Sequence, residues 1–164
     1  MSGTRFPDYE SSTAFVESGL VWYEDPRGHL HRVDGPAKIS SGGDVFWYRH
    51  GLLHREDGPA VVYTNGDTYW YRNGEEHRED GPAVVYHDGS EFWFLNGVPH
   101  REGGPAIVYP DGGRTEFWYV HGLLHRVDGP AVTLSTGEIR YFLDGCEVEE
   151  KDLADAVQNP GVGV

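Results

Sequence analysis

The sequence predicts an all-β fold: an elongated antiparallel meander of 23-residue β-hairpin repeats with a short C-terminal capping helix. Similar segments begin at the glycines Gly28, Gly51, Gly74, Gly97, Gly122 and Gly145, at spacings of 23, 23, 23, 25 and 23 residues. Self-similarity at such a period indicates a repeat array. Within the array, apolar residues show no 3.6-residue period, and glycine-containing pairs separate short β-branched and aromatic segments, as in hairpins.

Residues 1–27 are predicted to form an N-terminal segment and a degenerate capping hairpin. Thr13–Tyr23 contains two apolar segments around the pair Ser18-Gly19. Terminal units of repeat arrays are expected to be atypical, because they close an otherwise open end.

Five repeats are predicted over residues 28–145, each with two turns. In the second copy Asn65-Gly66 precedes the aromatic run and Asn73-Gly74 follows it, and Asp111-Gly112 is the fourth copy's equivalent of the first pair. Such pairs supply the positive φ of tight hairpin turns. The proline of each Asp-Gly-Pro step indicates a bend. The stretch before this proline is predicted to pair with the preceding tryptophan strand, and the stretch after it with the following strand.

Residues 146–164 are predicted to form a C-terminal helical cap and tail. Glu149–Asn159 combines acidic residues at its start with several apolar residues, and Pro160 and Gly161 follow it. Acidic residues favour a helix N-terminus, and Pro and Gly end a helix. We expect this helix to cover the last strand edge.

The composition is acidic and excludes several classes of partner. The net charge is -14 with only 13 Lys and Arg, which argues against nucleic acids and anionic membranes, because binding to either depends on basic residues. An acidic surface favours solubility or a basic protein partner. No apolar run reaches the length of a signal peptide or membrane span, so we expect a cytoplasmic protein of the producing or host cell. Cys146 is the single cysteine, so no intrachain disulfide forms.

The repeat resembles a known family. Gly-x-x-His, followed by a glycine-containing turn and an aromatic strand at 23-residue spacing, resembles MORN repeats. The signature His-Arg-x-Asp-Gly-Pro-Ala is similar to a MORN-like variant of bacterial, phage and large-virus proteins. The resemblance covers about Gly28–Gly145, but Arg32 and its equivalents stand where the usual repeat has Gly after His. It implies a β-hairpin ribbon that binds other proteins and in some members self-associates; some bacterial relatives are labelled antitoxin-like.

Two repeated sets of side chains are the candidate binding residues. The His-Arg-x-Asp row consists of His31, Arg32, Asp34, His54, Arg55, Asp57, His77, Arg78, Asp80, His100, Arg101, His125, Arg126 and Asp128. The tryptophan row consists of Trp47, Trp70, Trp93 and Trp118. Arg and Asp at positions i and i+2 share one strand face, so the first row is compatible with a structural ladder and with ligand contact.

Neither catalysis nor a metal or other cofactor is predicted from these rows. His, Arg and Asp together suit acid–base chemistry, but a site that is needed once is not expected five times. Equivalent histidines lie two strands apart, about 9.6 Å, whereas a Zn–N bond is about 2.0–2.1 Å.

The leading hypothesis is therefore a non-catalytic repeat scaffold that binds a protein partner. Self-association to a homodimer is compatible with it, since a single-layer sheet leaves apolar patches. One alternative is a phage or mobile-element interference or antitoxin-like protein that occupies a basic host protein surface. Another is a small-molecule or metal-binding protein that uses the His-Arg-x-Asp row.

Overall fold

The computed structural model describes residues 11–153 and is nearly all β. Its strands form an antiparallel meander, and one short helix begins at residue 150. The predicted fold class is thereby confirmed. The chain divides into two compact units, Met1–Glu75 and Glu76–Val164.

The first unit holds a main sheet and a separate small hairpin. Its strands are β1 (Thr13–Glu17), β2 (Leu20–Glu24), β3 (Lys38–Ile39), β4 (Val45–Phe46), β5 (Tyr48–Arg49), β6 (Leu52–Leu53), β7 (Val61–Val62), β8 (Thr68–Tyr69) and β9 (Tyr71–Arg72). The main sheet has the order β1-β2-β3-β4-β7-β8, whereas β5 pairs with β6 outside it. The short strand β10 (Glu75–Glu76) lies at the boundary between the units.

The second unit repeats this arrangement. Its strands are β11 (Val84–Val85), β12 (Glu91–Phe92), β13 (Phe94–Leu95), β14 (Val98–Pro99), β15 (Ile107–Tyr109), β16 (Thr115–Phe117), β17 (Tyr119–Val120), β18 (Leu123–Leu124), β19 (Val132–Thr133), β20 (Ile139–Leu143) and β21 (Cys146–Val148). The main sheet has the order β11-β12-β15-β16-β19-β20-β21, and β13-β14 and β17-β18 are separate hairpins.

The aromatic strands of the first four repeats are divided at Trp47, Trp70, Trp93 and Trp118. In the first copy, β4 belongs to the main sheet and β5 to a hairpin, and Trp47 joins the two strands. The Trp47 N–H donates to the Ala60 carbonyl, and its own carbonyl accepts from the His54 N–H. As predicted, the stretch before Pro59 pairs with the preceding tryptophan strand. The stretch after it, β7, pairs with the following strand β8 and also with the preceding strand β4, which was not predicted.

The turns after the aromatic strands have the predicted backbone. Asn73 and Gly74 have φ of 53° and 88°, as in a type I′ turn, and the other copies repeat this pair of positive angles. The leading hairpin β1-β2 turns in the same way at Ser18 and Gly19, with φ of 48° and 81°.

The predicted hairpin pair Asp111-Gly112 is wrong in detail. Gly112 does not take a positive φ, which falls instead on Arg114 at 57°. The fourth copy is two residues longer, so its turn closes later along the chain. The Asp111 carboxylate stabilises the wider turn by accepting from the backbone N–H and the hydroxyl of Thr115 at 2.7 and 2.8 Å.

The core of both units runs along the repeated Gly-Pro-Ala step. Fully buried residues at this step are Ala37, Ala60, Ala83, Ala106 and Ala131. In the last copy, Val132 and Phe142 join the alanine in one apolar cluster. Residues 150–153 are helical and Leu153 is buried, while the rest of the predicted helix to Asn159 lies outside the described residues. Among residues 11–153, no helix is long and apolar enough to cross a membrane.

Candidate functional site: the repeat loops

The arginine of each His-Arg-x-Asp-Gly-Pro segment, called here a repeat loop, holds that loop together. In the second copy, the Arg55 guanidinium lies 4.0 Å from the Trp47 ring centroid. Arg55 Nε donates to Asp57 Oδ1 at 2.8 Å, and Nη1 donates to the Pro59 carbonyl at 3.3 Å. One side chain thus joins the aromatic strand to both ends of the bend.

The same arrangement recurs along the chain. Arginines stack on the ring of the preceding aromatic strand at 3.8–4.2 Å in the pairs Arg32–Tyr23, Arg101–Trp93 and Arg126–Trp118. The Nε atom of the loop arginine donates to the loop aspartate at 2.7–2.9 Å in the pairs Arg32–Asp34, Arg78–Asp80 and Arg126–Asp128. In the fourth copy Gly103 replaces the aspartate, yet Arg101 keeps its bond to the Pro105 carbonyl at 3.1 Å.

The glycine of the loop leaves room for the guanidinium. A Cβ added at Gly58 would lie 2.7 Å from Arg55 Cζ, closer than real Cβ contacts. Equivalent glycines in the other copies give 2.5–3.0 Å. Gly58 does not have a positive φ, so an added Cβ here would disturb the position of the guanidinium and not the backbone conformation.

The histidine of each loop bonds to the hairpin turn that ends its own copy. The Nδ1 atom of His54 accepts from the backbone N–H of Asn73, 19 residues later, at 3.1 Å. The equivalent bonds are His31 to His50, His77 to Asn96, His100 to His121 and His125 to Asp144, at 3.0–3.1 Å. A ring nitrogen accepts such a bond only when it carries no proton.

Charge is arranged unequally across the loops. The arginine side chains are 22–26% exposed in the ion pairs of Arg32, Arg55, Arg78 and Arg126, whereas their aspartate partners are 71–84% exposed. The hydrogen bond and charge of Arg55 lower the pKa of the Asp57 carboxyl, and Arg32 does the same for Asp34. The loops therefore turn positive charge inwards and present ionised carboxylates to solvent.

A groove of 410 Å³ separates the first two loops. Its lining residues are Arg32, Val33, Asp34, Trp47, Arg49, His54, Arg55, Glu56 and Asp57. The predicted binding residues that the structure brings to this single surface are Arg32, Asp34, His54, Arg55, Asp57 and Trp47. The predicted residue His31 does not line the groove and is fully buried. The tryptophan side chains themselves are half-buried, with Trp47, Trp93 and Trp118 lying beneath arginines.

A partly exposed aromatic surface, on which Tyr63 and Tyr109 are exposed and the other rings are half-buried, is formed by residues outside the predicted site. In the first unit Phe46, Tyr63 and Tyr69 meet edge to face, with centroids 5.9 and 5.6 Å apart. In the second unit the row is Tyr86, Phe92, Tyr109 and Phe117, at 5.2–6.5 Å. Cross-strand pairs of this kind stabilise a sheet by roughly 0.5–1.5 kcal/mol each. The available sequence signal was the aromatic residue before each tryptophan and the tyrosine after Ala-Val-Val.

A buried carboxylate beside two imidazoles was also missed from the sequence. The Asp25 side chain is 1% exposed and lies 3.3 Å from Nδ1 of both His29 and His50. It accepts from the backbone N–H groups of Arg27 and His29 at 2.9 and 3.0 Å. Burial alone raises the pKa of the Asp25 carboxyl, but these hydrogen bonds outweigh burial and hold the pKa well below its usual range. A 340 Å³ cavity adjoins the group.

Within residues 11–153, no three His, Cys, Asp or Glu side chains are placed to hold a metal ion. A scan against models of known protein families found no match for this chain, and a search of curated proteins found no significant relative. The resemblance to MORN-like repeats stays a prediction.

Proposed function

We propose that this protein is a non-catalytic repeat scaffold that binds a protein partner through its repeat loops, and that the bound segment of the partner is basic. The observation that carries the proposal is the outward display of carboxylates. Asp34, Asp57 and Glu56 stand at the groove with 77–82% of each side chain exposed, while Arg32 and Arg55 lie beneath them. Charge-assisted hydrogen bonds from Lys or Arg of a partner suit such carboxylates.

The strand order supports an extended partner segment. Consecutive loops of one unit are separated by two strands of the main sheet, so they repeat at about 9.6 Å. A segment in the polyproline II conformation has three residues per turn and advances by about 3.1 Å per residue, so every third side chain points the same way. Every third residue of the partner then meets a loop, which favours a segment with Lys or Arg at that spacing. An interference protein that occupies a basic host surface would use the same chemistry.

Comparative affinity purification from the cell that makes the protein tests this function. The bait proteins are the wild type, the loop variant Asp34→Asn/Glu56→Gln/Asp57→Asn, and a charge-matched control, Glu75→Gln/Glu138→Gln/Glu150→Gln, whose residues are exposed outside the loops. We expect a protein with a basic segment to be enriched by the wild type and the control and lost with the loop variant. Equal recovery with all three baits, or no specific recovery, would overturn the proposal.

A further inference from the structure

We propose that β1 is a self-association edge, along which two copies of this chain pair antiparallel with Phe15 facing Phe15 of the second copy. The inference goes beyond the proposed function, because no repeat loop takes part in it. β1 is the terminal strand of its sheet, and no other strand of the described residues lies on its outer side. All five residues of β1 are exposed although three are apolar, and Val16 is 73% exposed.

The hydrogen-bonding phase of β1 follows from its turn. A two-residue hairpin loop is flanked by a hydrogen-bonded pair, here Glu17 and Leu20. Alternation along the ladder makes Phe15 hydrogen-bonded to β2 and leaves Ala14 and Val16 in the non-hydrogen-bonded pairs. Tyr23, the partner of Ala14, confirms this phase because its N–H donates to the Ala37 carbonyl on the other side of β2.

The N–H and C=O groups of Ala14 and Val16 therefore point away from β2, towards the open edge. Two copies related by a twofold axis at Phe15 place Ala14 opposite Val16 of the second copy. The outward groups of these residues then match and form four backbone hydrogen bonds. A register shifted by one residue would instead oppose groups that already bond to β2.

The side chains fit the same register. Phe15 stacks on Trp22 with ring centroids 5.3 Å apart, so pairing extends this stack to four aromatic rings. The two Phe15 residues form a non-hydrogen-bonded pair, the pair in which side chains lie closest. Glu17 faces Thr13 of the second copy, and no two like charges stand opposite each other. These features favour a second copy of this chain, over an unrelated strand, as the partner that pairs with β1.

Mass measurement against concentration is the first test. A five-residue strand pair is small compared with stable dimer interfaces, so we expect dissociation in the micromolar range. Light scattering coupled to size exclusion, with sedimentation velocity, is expected to show a monomer of 18.4 kDa at low concentration and a dimer at high concentration. A monomer at every concentration up to about 1 mM, well above the expected dissociation constant, overturns the proposal.

A proline substitution that removes one backbone N–H of β1 tests where the interface lies. Val16→Pro removes an outward N–H without touching the bonds to β2, and proline is tolerated on an edge strand in this orientation. It deletes two of the four intermolecular bonds and is expected to weaken dimerisation about 10- to 100-fold. Val16→Thr keeps the N–H and the branched side chain and should dimerise like the wild type. A dimer that Val16→Pro leaves unchanged would contradict the proposal.

Disulfide trapping tests the register without relying on the proline variant. In a Cys146→Ser background, Phe15→Cys places two thiols across the twofold axis, where Cβ atoms about 4.5–5.5 Å apart come close to disulfide geometry. Val16→Cys places them on a diagonal at about 7–8 Å. We expect a covalent dimer from Phe15→Cys and little from Val16→Cys under mild oxidation. Equal trapping, or none, would overturn the register.

Discussion

Replacing Arg126 by methionine removes three contacts while keeping an unbranched apolar stem. The stacked guanidinium lies 3.8 Å from the Trp118 ring centroid and contributes about 1 kcal/mol. Its bond to the Pro130 carbonyl at 3.3 Å contributes about 1 kcal/mol more. The ion pair with Asp128, whose side chain is 71% exposed, adds at most about 0.5 kcal/mol. We expect Arg126→Met to lower the free energy of unfolding by about 2–3 kcal/mol.

The companion variant Asp128→Asn is expected to cost no more than about 0.5 kcal/mol. The fourth copy supports this expectation, because Arg101 stays stacked on Trp93 although Gly103 replaces the aspartate. If the arginine stabilises the loop and the aspartate only lies exposed on it, Arg126→Met must lower the free energy of unfolding by more than Asp128→Asn does.

Urea unfolding at pH 7, followed by tryptophan fluorescence and circular dichroism, measures both variants. If Asp128→Asn lowers the free energy of unfolding as much as Arg126→Met does, the reasoning is refuted, because the ion pair would then be the main contact that stabilises the loop. A cost below about 0.5 kcal/mol for Arg126→Met would refute it as well, since that is the upper share assigned to the ion pair alone.

Three further substitutions test the other contacts of the array. Gly58→Ala brings a Cβ to 2.7 Å from the guanidinium carbon of its loop and should cost about 1–3 kcal/mol in urea unfolding. His54→Leu leaves the Asn73 N–H without its acceptor and should cost about 1–3 kcal/mol by the same measurement. Asp25→Asn removes a buried carboxylate and should cost about 2 kcal/mol at pH 7. The folded-state pKa of Asp25 is lowered, so this contribution is present above about pH 4 and is lost as the pH falls further.

Each of these changes has a control. Gly112→Ala meets no atom within 4 Å and should change stability by less than about 0.5 kcal/mol; a cost equal to that of Gly58→Ala would exclude the steric argument. His54→Asn offers an oxygen near the Nδ1 position and should recover part of the stability lost in His54→Leu. The difference in free energy of unfolding between Asp25→Asn and the wild type must become smaller between pH 4 and pH 2. A difference that grows over this range would contradict a lowered pKa of Asp25 in the folded state.

Local signals explain what the sequence predicted well. Asn73-Gly74 encodes its turn in two residues, because both accept positive φ at low cost. The repeat period then places the same turn in every copy. Where a copy has two extra residues, as near Asp111, the local signal competes with a longer connection, and the positive φ moves to Arg114.

Contacts between distant residues explain what the sequence left open. Arg and Asp at i and i+2 predicted that the two could pair, but the stacking of Arg55 on Trp47 depends on how the strand bends. The bond from His54 to Asn73 depends on where the following hairpin presents its N–H. Asp25 occurs once, so no repetition distinguished it from other acidic residues.

The most direct test of the account is an amide NMR titration with a peptide that carries lysine at every third position. We expect shifts at Asp34, Glu56 and Asp57 that weaken with added salt, and weaker binding of a peptide of the same composition with its lysines clustered. Shifts confined to the aromatic surface at Tyr63 and Tyr69, or no shifts at all, would contradict binding through the repeat loops.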